Sequence, residues 1–123
     1  MALIDTLLLG FQGLAGLAFI AAGGTKLVGV ESQVEDFERF GFPQWFRVAT
    51  GAIEVGGGLG LLIGIVLAPM YAVLGGFVLI ATMAGAVLTH LVRVDDPVSE
   101  AVPASVLLVG AVIVVAGSLG LVV

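Results

Sequence analysis

At 123 residues, 60% hydrophobic and 11% charged, with a mean hydropathy of +1.27, the chain carries less than half the roughly 25% charge of a soluble domain. It reads as a protein dissolved in lipid. A net charge of −5 argues against a nucleic-acid partner, and the absence of cysteine excludes disulfides, dithiol redox chemistry and thiolate-held clusters on this chain.

The first span is expected over residues 6–27, where Lys26 is the first ionisable side chain. The run is longer than the apolar core of a signal peptide and no basic segment precedes it, so it is read as a retained span. At 100° per residue, Gln12, Ala15, Phe19, Ala22 and Lys26 share one face.

Residues 29–44 follow. Ser32 and Glu35 have the spacing of a capping box, Val34, Phe37 and Phe40 recur about every three residues, and Gly41 and Pro43 stop the pattern. A short amphipathic interfacial helix is expected, with Phe37, Phe40, Phe42 and Trp45 as headgroup-level anchors. The alternative is a lid over the polar residues beneath it.

The second span, 46–66, contains Glu54. An ionisable group at membrane depth costs roughly 2.5–3.5 kcal/mol on insertion scales and marks a structural or functional site. Left alone there it would be neutral; beside Lys26 or Arg47 it would stay ionised. Arg47, Thr50, Gly51, Glu54 and Gly58 share a face. Gly56, Gly60 and Gly64 form a second row about 120° away, a close-packing ridge for another helix or another copy of the chain.

One helix over residues 55–92 would be about 57 Å long against a hydrocarbon core of about 30 Å. Pro69 lacks the amide proton and disfavours helix at Ala68, so a tight turn near 67–69 is predicted. The third span is then 70–92, with Met83, Ala86 and His90 on one face, and the fourth is 103–122. The expected fold is all-α: a single-domain integral membrane antiparallel four-helix bundle, residues 1–123.

This threading puts Lys26, Arg39, Arg47 and Arg93 on one side of the membrane with every acid except Asp5. The positive-inside rule places that face in the cytoplasm of a cell with both termini outside, in the plasma membrane. Lys26, Glu54 and His90 come to similar depth near it, with Arg47 on the face of Glu54 and Gln12 on that of Lys26. The cluster reads either as a structural ion pair or as a ligand or proton site, since histidine is the residue type that exchanges protons near neutral pH.

No metal-ligand spacing, phosphate loop or nucleophile triad occurs, and no catalytic residue is assigned. Met83 lies about 10 Å along the helix from His90, too far to complete a haem pair on one iron. The chain is not expected to be an enzyme by itself, nor to hold a covalently bound cofactor.

The run FERFGFPQWFRVATGAIEVGGGLGLL, Lys26 closing the first span, and ATMAGAVLTHL ending in His90 together resemble the DoxX-like family. The likeness rests on the G-x-P turn at Gly41 and Pro43, the G-x-x-E pair Gly51 and Glu54, and the small-residue third span. It implies a four-helix membrane protein whose relatives are linked to quinone-reducing respiratory or sulfur-oxidation complexes, to redox assemblies and, in distant animal members, to chaperoning of membrane proteins. Two expectations follow. The first is an accessory subunit or assembly factor packed against a larger membrane or redox partner, or a homo-oligomer. The second is a protein that binds quinone or another amphipathic small molecule through Glu54, His90 and Lys26. A transporter fits less well, because the four spans show no internal repeat.

Overall fold

The computed structural model describes residues 2–121. Helix α1 (Leu3–Val28), α2 (Glu31–Phe40), α3 (Gln44–Val66), α4 (Pro69–Leu88) and α5 (Val98–Ser118) follow one another, and a π-helical turn, Thr89–Arg93, extends α4. Four of these are long and apolar enough to cross a membrane, and the chain is a multi-pass membrane protein. Large apolar side chains such as Leu14, Leu74 and Val106 point outward, the pattern of a helix surface facing lipid.

The helix ends follow from local chemistry. Gly29 at φ 73° and Gly41 at φ 79° adopt the left-handed conformation that a Cβ disfavours. Each reverses the chain, with the Val30 amide donating to the Thr25 carbonyl at 3.1 Å and the Phe42 amide to the Phe37 carbonyl at 3.1 Å. Pro69 occupies the first position of α4, where its missing N–H costs nothing, and Ala68 before it is extended. The expected break near 67–69 is there.

Two boundaries differ from expectation. The capping box of Ser32 and Glu35 does not form: after Gly29 the chain has already turned, so α2 starts at Glu31 and Ser32 falls inside its first turn. The fourth span starts at Val98, five residues before Pro103. Pro103 withholds one amide from the carbonyl of Ser99, an exposed residue near the polar end of α5, which makes the proline tolerable. The expected end at Val122 lies outside the described residues.

The helices run up and down in sequence, α1 beside α3, α3 beside α4 and α4 beside α5, with α5 touching α1. Phe19, Leu61, Leu79, Met83 and Val114 form the centre. Glycines set the spacing. A Cβ on Gly23 would lie 2.6 Å from the Gly51 carbonyl oxygen, and one on Gly58 would lie 2.7 Å from that of Gly16. The pairs Gly16 with Gly58 and Gly23 with Gly51 are each seven residues apart on their helices, so the antiparallel backbones touch at two levels two turns apart.

The ridge expected at Gly56, Gly60 and Gly64 is corrected at its first member. Gly60 and Gly64 press on α4, at the Tyr71 carbonyl (3.0 Å from a Cβ) and at Ala72 (2.7 Å), and Gly57 meets Leu79 at 2.6 Å. A Cβ on Gly56 would meet nothing within 4 Å among the described residues. The reason is helical drift: Gly56 and Gly64 are about 80° apart around the axis, whereas Gly57 and Gly64 differ by about 20°.

Candidate functional site

The polar residues of the charged end surround a cavity of about 660 Å³. Lys26 near the end of α1 donates from Nζ to Glu54 Oε1 on α3 at 3.1 Å. The Gly23–Gly51 contact one turn away brings these helices close enough for the pair to form. Glu54 is completely buried, and its Oε2 has no hydrogen-bond partner among the described residues. The Lys26 side chain is 15% exposed, so the ammonium stands in front of the carboxylate at the cavity wall.

Glu54 is unusual among the polar side chains of the spans in this respect. The hydroxyls of Thr50, Thr82, Thr89 and Ser105 each donate to the carbonyl four residues earlier on their own helix, at 2.7–2.8 Å. Such groups are satisfied locally and need no partner.

His90, in the π-helical turn, lines the same cavity but does not bond Glu54. Its Nδ1 pairs with Asp96 Oδ2 at 2.7 Å, and its ring meets Phe40 edge-on with centroids 5.1 Å apart. Asp96 also accepts from Arg39 of α2 through Oδ1 at 2.6 Å. Asp95 reaches φ 51°, left-handed for a residue with a Cβ, and the Asp96 amide donates back to the His90 carbonyl at 2.6 Å. The Arg39 guanidinium, and after it His90, hold the Asp96 carboxyl below the usual carboxylate range, so it is ionised at neutral pH.

Arg47 and Gln12 stand apart from the cavity. Arg47 donates through Nη1 to the Lys26 carbonyl and through Nε to Gln44 Oε1 at 2.7 Å, tying the start of α3 to the end of α1. It makes no contact with Glu54 in the hydrogen bonds described. Gln12 donates to the Leu61 carbonyl at 2.8 Å and borders a smaller cavity of about 290 Å³ near the opposite end, with Asp5. It shares the helix face of Lys26 but lies too far along α1 to join it.

The aromatic residues of α2 and its flanks face inward more than expected. Phe37, expected as a headgroup anchor, is only 5% exposed and packs against Phe40 and Phe46 at centroid distances of 5.6 and 6.3 Å. Phe37, Phe40 and Phe42 all line the cavity, while Trp45 is 69% exposed. An amphipathic helix buries its apolar face against whatever apolar surface is nearest, and here that surface is the mouth of the bundle. Arg93 fastens this cover, donating from Nε to the Phe40 carbonyl at 2.8 Å and stacking 4.4 Å above the Phe42 ring.

Asp96, Arg39 and Arg93 were not among the expected site residues. Arg39 lies on the amphipathic helix and Arg93 and Asp96 follow His90 at the end of the third span, where the one local signal is the juxtaposition of Arg93, two aspartates and Pro97.

The pattern of the DoxX-like family matches residues 10–117, which reach into all four spans and include every residue lining the larger cavity. The chain is 34% identical over 102 residues to a protein of Bacillus subtilis (strain 168) called uncharacterized protein YdgD, covering 81% of this chain and 88% of that protein. No solved structure matches it. A family match over residues 10–117, on a chain of four membrane-length helices, shows that this protein belongs to the DoxX-like family.

Proposed function

We propose that this chain binds a neutral amphipathic small molecule of the quinone type in the cavity beneath α2. The observation that carries the reading is the cavity itself: about 660 Å³, within the roughly 300–1,000 Å³ of small-molecule sites, with aromatic and aliphatic walls and one ammonium–carboxylate pair. An ammonium has three donors, and Lys26 spends one on Glu54, leaving others for a carbonyl head group. The lining holds one lysine against Asp36, Glu54 and Glu100, a balance that disfavours an anionic head such as a phospholipid phosphate.

A subunit or assembly role draws less support, because Gly60 and Gly64, which suggested a docking ridge for a larger partner or a second copy, are occupied by α4 within the chain. The test of the cavity reading is titration of wild-type protein, purified in mild detergent, with a short-chain benzoquinone, read by quenching of Trp45. Saturable binding is expected, weakened at least about tenfold by Ala86→Phe, which fills the cavity. No saturation of the wild type by either the benzoquinone or its reduced, hydroquinone form would end the reading.

The charged face belongs in the cytoplasm on this proposal, with both termini outside, because all four Lys and Arg lie on it. The absence of cysteine makes the check direct. In intact cells, Ala2→Cys should react with a membrane-impermeant maleimide and Glu35→Cys should not; the reverse pattern inverts the topology.

A further inference from the structure

The contact between His90 and Asp96 constrains what the cavity recognises. An ionised carboxylate only accepts hydrogen bonds, so at 2.7 Å from Asp96 Oδ2 the His90 Nδ1 must carry the proton. In the neutral ring the other nitrogen, Nε2, is then an acceptor. Asp96 does not line the cavity and His90 does, which leaves Nε2 as the nitrogen available to an occupant.

Several features hold this arrangement. Asp96 is anchored by Arg39 at 2.6 Å, the ring is braced by Phe40, and the chain adopts a π-helical turn and a left-handed Asp95 to bring Asp96 back onto His90. A π-turn and a left-handed non-glycine residue both cost energy, and such features concentrate where geometry serves a site.

We propose that Asp96 is a positioning residue that presents His90 Nε2 to the cavity as a hydrogen-bond acceptor, so that the site takes the hydroxyl-bearing, hydroquinone form of its ligand in preference to the quinone. This rests on the cavity reading above. A hydroquinone satisfies both polar groups, donating one hydroxyl to Nε2 and accepting from Lys26 with the other. A quinone accepts from Lys26 but turns its second carbonyl toward the lone pair of Nε2, leaving both acceptors unpaired.

The chain has a single histidine, so selective ¹⁵N-histidine labelling reports on this ring alone. At mildly alkaline pH the wild type should carry its proton on Nδ1. Asp96→Ala should shift the proton to Nε2, and Asp96→Glu should restore it to Nδ1, a readout that loss of a mere structural contact would not produce. A short-chain benzohydroquinone, kept reduced, should bind wild type about tenfold more tightly than the matching benzoquinone and move the Nε2 resonance. The wild-type measurements stand whether or not the variants fold. Proton on Nε2 in the wild type, or equal binding of the two forms, overturns this proposal alone; no binding of either form overturns the cavity reading and this proposal with it.

Discussion

Lys26→Met is expected to destabilise the bundle by about 3–5 kcal/mol, because it leaves the Glu54 carboxylate buried with no partner. The cost arises from leaving Glu54 buried without its partner, either as a stranded charge or neutralised by taking up a proton, more than from the lost attraction. Glu54→Gln, which removes the charge but keeps the shape, should cost less, about 1–3 kcal/mol. The double variant Lys26→Met with Glu54→Leu should recover most of the stability, since an apolar pair of similar volume often replaces a buried ion pair without loss. Reversible unfolding in mixed micelles gives all four values. A Lys26→Met protein as stable as the wild type would show that the pair carries no structural load. A double variant that is stable but no longer binds quinone would separate the two roles that Glu54 suggests from sequence, since the fold would survive while the site is lost.

The second large effect concerns two adjacent glycines. Gly23→Ala should destabilise by about 1–3 kcal/mol or more, because its Cβ would lie 2.6 Å from the Gly51 carbonyl oxygen and 2.8 Å from the Val55 amide nitrogen. Both obstacles are backbone atoms, so α1 and α3 must separate, and the Lys26–Glu54 pair one turn away stretches with them. Gly24→Ala is the control. A Cβ there meets nothing within 4 Å among the described residues, and alanine favours a helix interior over glycine by up to about 1 kcal/mol. Thermal unfolding should therefore place the two variants on opposite sides of the wild type. Equal stability would mean that the helices do not approach as closely as the glycine contacts require.

Much of the fold was legible residue by residue. Span length follows from the apolar runs, the break at Pro69 from its missing amide, and the end of α2 from Gly41. These are local properties, set by the chain's chemistry within a few residues. The meeting of Lys26 and Glu54 was also legible, because each is a strongly polar group on an otherwise apolar helix at matching depth, and a buried charge without a partner is costly.

The remainder belongs to the tertiary structure. Helical phase shows which residues share a face, but not which neighbour that face meets: Gly57 replaced Gly56 in the ridge, and Gln12 met a backbone carbonyl rather than the cluster. The inward turn of Phe37 depended on an apolar mouth assembled by the four other helices. His90 found Asp96 six residues away through a π-turn and a left-handed aspartate, a path that no periodicity encodes. Local chemistry reaches as far as a four-span membrane helix bundle with a glutamate in need of a partner at the depth of Lys26. Tertiary structure alone decided the cavity, its aromatic cover and the orientation of its imidazole, because each depends on several elements converging on one place.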